Sequence, residues 1–200
     1  MTVSELQTVL HEIIAEYFPN TLIIWAEQRK LVKPSGTFIT LKLRNFTATQ
    51  HSIKVTENDA PVSYKPSKMM LELQLFTHGN DEQIAIDGET VTISVNTALN
   101  DIVDLTNFLT SDYADAYYTK HDISLRPEGD AKDVSGLLDT NYEYRAMQEY
   151  VVEFMQTANG LAGITRKDWK PTASGGGTKE LASQEVENLD ADSIDIKNNF

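Results

Sequence analysis

The chain has 200 residues, 17 Lys+Arg against 30 Asp+Glu for a net charge of −13, and no cysteine. That length suits one domain with an appendage, in which a single core buries about 70% of the unfolded-chain surface. The acidic balance argues against a protein built to grip phosphate backbones, and the lack of thiols removes disulfides, thiolate metal sites and thiol nucleophiles together. No basic segment leads into an apolar one near Met1, and no run nears the ~18 apolar residues of a membrane span, so a soluble chain without a membrane partner is expected. Asn45-Phe46-Thr47 then matches the glycosylation tripeptide by accident.

Leu6, Val9, Leu10, Ile13, Ile14 and Tyr17 recur at the spacing of one helical face. Thr2 and Glu5 have the capping-box spacing at its start, and Pro19-Asn20 ends it. Leu22 to Ala26 predicts a short strand feeding a turn near Arg29, Lys30 and Lys33. Phe38, Thr40, Lys42 and Arg44 alternate with Ile39, Leu41, Leu43 and an offset Phe46, the pattern of a half-buried strand. Glu57 to Pro66 is polar with two prolines and reads as a hairpin connection. Leu71, Leu73 and Leu75 then alternate with Glu72, Gln74 and Phe76, which predicts a strand with the leucines facing the core.

Asp87-Gly88 between Ile84–Ile86 and Val91–Val95 predicts a second hairpin, because such a pair accepts the positive φ of a tight turn. Thr97 caps a helix offering Leu99, Ile102, Val103, Leu105, Phe108 and Leu109 for burial, and Tyr113, Tyr117 and Tyr118 follow on a second helical stretch. Ile123 to Arg126 is a short strand stopped by Pro127-Glu-Gly. Tyr142 to Thr157 fits a helix through Met147, Tyr150, Val151, Phe154 and Met155, and a strand through Tyr150, Val152 and Phe154, so periodicity leaves it open. Residues 158–200 change character. Gly175 to Gly177 interrupt them, and from Pro171 onward two Lys face six Asp/Glu, a composition too poor in apolar side chains to offset the entropy of ordering. The expected organisation is one domain over 1–157 followed by a Gly-rich linker and acidic tail over 158–200.

Constellations that carry chemistry are weak. His11, His51, His78 and His121 stand apart, with no second ligand at helical or strand spacing. Ser174-Gly-Gly-Gly-Thr-Lys179 inverts the Lys-Thr order of a phosphate loop and reads as a flexible linker. Asp190-Ala-Asp192 opens like a calcium loop, but Ile194 and Asp195 occupy positions that need an oxygen ligand and a turn glycine. No catalytic residue, cofactor or metal is expected.

Three pieces in order do carry a resemblance: Pro34-Ser-Gly36-Thr-Phe38-Ile-Thr opening a strand; the alternating strand Met69 to Phe76 ahead of a helix; and Ile123-Ser-Leu-Arg126-Pro, followed by Asp133-Val-Ser-Gly-Leu137-Leu138-Asp139-Thr-Asn-Tyr-Glu-Tyr-Arg145 through Phe154. Over residues 1–157 the chain resembles the phage neck or tail terminator proteins, also called tail-completion proteins. The resemblance implies an α+β fold, an antiparallel or mixed β-sheet with helices packed on one face. It implies that Pro34 and Gly36 shape a turn into the Phe38 strand, that Leu137-Leu138-Asp139 form a short connection folded onto the sheet, and that Arg145 opens the last strand. It also resolves Tyr142 to Thr157 as a strand. Arg126 and Arg145 stand as interface candidates, although a salt bridge to Glu143 or Asp139 is the ordinary role for Arg145. The Asp87-Gly88 hairpin looks like an insertion.

The function so implied is structural and not enzymatic: a homohexameric ring in the virion, assembled in the host cytoplasm. Such a ring caps the tail tube protein, stops its polymerisation and meets a neck or head-tail connector protein, and in a contractile tail a sheath protein. Double-stranded DNA passes through the channel without specific binding, an acidic wall repelling phosphates. The competing class is a small-ligand-binding domain or enzyme whose pocket uses Tyr113, Tyr117, Tyr118, His121 and Asp122.

Overall fold

A computed structural model describes residues 1–26, 34, 36–57, 60–87, 89–138 and 141–157. Helix α1 (Val3–Tyr17) begins with the expected capping box, in which the Thr2 hydroxyl accepts from the Glu5 amide and the Glu5 carboxylate accepts from the Thr2 amide at 2.7 Å. Its apolar stripe, Leu6, Val9, Leu10, Ile13 and Ile14, is buried. Strands β1 (Leu22–Trp25) and β2 (Phe38–Ala48) pair in parallel, and every other pairing among the described residues is antiparallel. The sheet is therefore mixed, and the fold is α+β.

Strand β4 (Ala60–Thr77) is the spine. It pairs with β2 on one side, with β3 (Ile53–Glu57) beyond the end of β2, and with β9 (Asn141–Gln156) on the other side. Strand β7 (Ile123–Asp133) closes the far edge against β9, and the three-residue β8 (Gly136–Leu138) folds back on the start of β9. A separate hairpin, β5 (Asn80–Ile86) with β6 (Glu89–Val95), leads to α2 (Ala98–Leu109) and α3 (Asp112–Lys120).

Period two decides which side is covered. Ile39 and Leu41 of β2, Met69, Leu71, Leu73 and Leu75 of β4, Tyr150 and Val152 of β9, and Ile123 and Leu125 of β7 form one buried layer with the apolar faces of α1, α2 and α3. The helices thus pack on one face, each buried leucine contributing roughly 2 kcal/mol of transfer free energy. Two polar side chains join that layer with their partners supplied. The Tyr150 hydroxyl lies 2.7 Å from Thr106 Oγ1, and Gln148 Nε2 donates to the carbonyls of Glu128, Gly129 and Glu149.

Several expectations need correction. The presumed connection Glu57 to Pro66 is strand for most of its length, since β3 runs to Glu57 and β4 starts at Ala60. Pro66 is accommodated because β2 has ended and β3 has not begun beside it: its carbonyl accepts from the Thr49 amide, and its missing N–H falls in the same gap. Pro127-Glu-Gly does not stop β7, which continues to Asp133 because it is an edge strand; a register shift between Glu128 and Lys132, with Gly129 at φ +71°, absorbs the irregularity. Leu99 and Val103 are on the exposed side of α2. Thr97 makes no side-chain cap; Asn96 Oδ1 accepts from the Ala98 amide instead. Leu137 and Leu138 are the last two residues of β8, so the expected connection is there a strand paired with β9, while Asp139, the turn near Arg29, Lys30 and Lys33, and the tail 158–200 lie outside the described residues.

Other expectations hold. Asp87 turns the β5–β6 hairpin at φ +53°. The offset of Phe46 has a cause: Asn45 at φ +56° and a register shift between Arg44 and Thr47 mark a bulge, beyond which alternation restarts. Tyr142 to Gln156 is strand, as the resemblance implied, and Thr157 lies just past its end.

Candidate functional surfaces

The side of the sheet away from the helices carries the charged row. Register puts Phe38, Phe76 and Arg145 abreast on β2, β4 and β9. Phe38 and Phe76 stack with centroids 4.3 Å apart, and the Arg145 guanidinium lies 5.0 Å from the Phe76 ring centre. Such a cation over an aromatic face contributes about 0.5 to 2 kcal/mol, more as water is excluded. The same guanidinium donates to Gln74 Oε1, Gln74 donates to Glu72, and Arg44 bridges Glu72 and Glu149. One polar chain therefore runs across three strands. Arg126 stands further along, on β7, 3.7 Å from Glu153 and 4.0 Å from Glu128, and is more than half exposed; exposed pairs of this kind contribute at most about 1 kcal/mol.

Of the residues singled out from the sequence, Phe38, Arg126 and Arg145 thus share one sheet face. Gly36, at φ +109°, and Pro34 precede β2; the positive φ is what requires glycine there. The side chains of Leu137 and Leu138, and all of Asp139, are not among the described residues. Arg44, Glu72 and Glu149 were missed. Their signal was present in the alternation of Lys42 and Arg44 with buried leucines, but their partners come from strands distant in sequence.

The aromatic group Tyr113, Tyr117 and Tyr118 joins helices. Tyr113 donates to Glu16 and Tyr117 to Glu12 at 3.1 Å, both on α1, and Tyr118 donates to the Leu109 carbonyl at the end of α2. Burial, reinforced by the Glu12 carboxylate, pushes the Tyr117 phenol up to about 12, and burial raises Tyr118 further. His121 packs against Tyr117 with ring centres 4.4 Å apart. Asp122 instead borders an open groove of about 590 Å³ at the end of the sheet, with Thr49, Pro66, Ser67, Phe154 and Met155. Among the described residues no three His, Asp or Glu side chains gather as metal ligands, and no described helix is long and apolar enough to cross a membrane.

The root of the β5–β6 hairpin is fastened. Tyr144 donates to the Ser94 carbonyl at 2.8 Å, Ser94 Oγ donates to the His78 carbonyl at 2.7 Å, and Asn96 donates to Asp133 and Ser135. Hydrogen bonds from Ser135, side chain first, hold the Asp133 carboxyl below the usual range. Gly79 sits at φ +74°, with the Val95 carbonyl oxygen too close to leave room for a Cβ.

Compared with known families, residues 4–170 match a family model described as phage neck terminator protein. No curated protein matches the chain.

Proposed function

Because the chain belongs to the phage neck terminator family, a family of structural proteins of the phage neck, we propose that it closes as a homohexameric ring on the last ring of the tail tube, stops tube growth and joins the tail to the neck. The family match over most of the chain carries this reading. A tube end templates each further ring until a protein with a matching lower face and a non-matching upper face occupies it, which requires complementarity over a wide surface. What supports the reading in the fold is a sheet face cross-braced between strands by the Arg44 ion pairs to Glu72 and Glu149 and by the Arg145 hydrogen bond to Gln74. The net charge of −13 gives the ring a wall from which DNA phosphates are repelled, so the genome slides through. The tube protein, a connector protein and, in a contractile tail, the sheath are the partners of the two faces.

The test is a particle assembled without this protein. Tails of irregular length, or heads and tails that fail to join beside normal capsids and tube subunits, are expected. Infectious particles with tails of uniform length would overturn the reading.

A further inference from the structure

The β5–β6 arm is joined to the domain by polar groups alone. It is a two-stranded sheet of its own, and no apolar side chain among its described residues belongs to the buried layer or packs on it. The two chain crossings lie side by side at its root, where a Cβ on Gly79 would run into the Val95 carbonyl oxygen. So narrow a neck leaves the arm's angle to the hydrogen bonds beside it.

Two fastenings supply those bonds. The Tyr144 hydroxyl, near the start of β9, donates to the Ser94 carbonyl. Asn96, at the arm's end, donates from Nδ2 to Asp133 Oδ2 at 3.0 Å and to Ser135 Oγ at 3.2 Å, while its Oδ1 accepts from the Ala98 amide at the start of α2. Ser135 Oγ also accepts from the Arg145 amide at 2.9 Å and donates to the Arg145 carbonyl, so this one hydroxyl uses its donor and both acceptor sites. Ser94, Asn96 and Asp133 are exposed. Hydrogen bonds at such positions exchange for bonds to water at small net cost, and their opening leaves a packed core untouched.

We propose that Tyr144, Asn96, Asp133 and Ser135 form a releasable latch. Closed, it holds the arm at one angle to the sheet. Open, the arm swings as a rigid hairpin about Gly79 and its junction with α2 while the domain stays folded. The two states differ in where the Asn96 amide and the Tyr144 hydroxyl find acceptors, protein in one and water in the other, so a partner that competes for those groups resets the arm and leaves the core as it was. The latch belongs to a single chain and does not depend on the ring reading.

The cysteine-free sequence takes a pair of spin labels cleanly, one on the arm at Thr90→Cys and one on α3 at Ala116→Cys, both exposed positions. In the otherwise unchanged full-length chain the distance distribution between the labels is expected to be single and narrow. Tyr144→Phe with Asn96→Asp removes one fastening and sets a carboxylate against Asp133 in the other, yet keeps an acceptor for the Ala98 amide. The distribution should then widen about two-fold or more while the thermal midpoint moves by less than about 3 °C. Adding Asp133→Asn restores a donor across the same gap and should narrow the distribution again. An equally narrow distribution with Tyr144→Phe and Asn96→Asp would show that the latch does not set the angle, and a broad one in the unchanged chain would show that it is not closed. A midpoint that falls together with the widening, or no narrowing when Asp133→Asn is added, also overturns the proposal.

Discussion

The β4–β9 pair under the helices and the β5–β6 arm obey the same rule of alternation and end in opposite environments. Leu71, Leu73 and Leu75 are fully buried, whereas Ile86, Val91 and Ile93 stand in water. Period two states which side chains share a face; it does not state what covers that face. In the first region α1, α2 and α3 supply the cover from the same chain. In the second no described helix does, and the hairpin is fastened at its root instead.

The contrast is sharpest under truncation. Leu73→Ala removes a side chain held between Leu41 and Gln148 and is expected to destabilise the fold by about 3 kcal/mol, since the cavity relaxes only in part. Ile93→Ser should shift the unfolding free energy of the monomer by less than about 0.5 kcal/mol, since Ile93 is already 37% exposed. Denaturant unfolding of both variants checks this, and equal losses would show that the arm is part of the core.

A smaller effect separates the two regions by pH. Burial pushes the Tyr150 phenol up to about 12 against an opposing hydrogen bond from Thr106. An unfolded tyrosine loses its proton near pH 10, so between about pH 10 and 12 the folded chain binds more protons and stability falls as pH rises. Tyr150 alone accounts for roughly 2 to 3 kcal/mol over that window, and its stabilising effect is fully present below pH 10. Tyr150→Phe should flatten the alkaline limb of a stability-versus-pH curve.

The smallest of the three concerns the start of α1. Thr2→Ala removes the acceptor for the Glu5 amide and should cost about 1 kcal/mol, read by thermal unfolding, with no change in self-association.

The helices, the β4 core face and the β5–β6 hairpin were legible because each rests on a local signal: helical spacing, alternation, a capping box, an Asp-Gly turn. What was misread depended on neighbours. Pro66 and Pro127 argue against strand until it is known that one lies at a gap between partners and the other on an edge strand. Leu99 and Val103 satisfy the helical spacing, but the buried stripe of α2 runs through Ala98, Ile102, Leu105 and Leu109, so no strand lies beneath them. Tyr142 to Thr157 gave a mixed signal because β9 lies between β4 and β7 with Val151 buried on one face and Val152 on the other, which erases clean alternation. On the charged face, Phe38, Arg126 and Arg145 came from family resemblance, while the Arg44, Glu72 and Glu149 cluster required the register itself.

Strand β4 has a consequence for dimensions. At about 3.3 Å per residue its 18 residues span roughly 60 Å, and for most of that length it is locked in register with neighbours on both sides. A slip by one residue would send every leucine of its core face to the other side. The spacing between the roots of the β3–β4 and β5–β6 hairpins is therefore quantised by hydrogen bonds and cannot stretch.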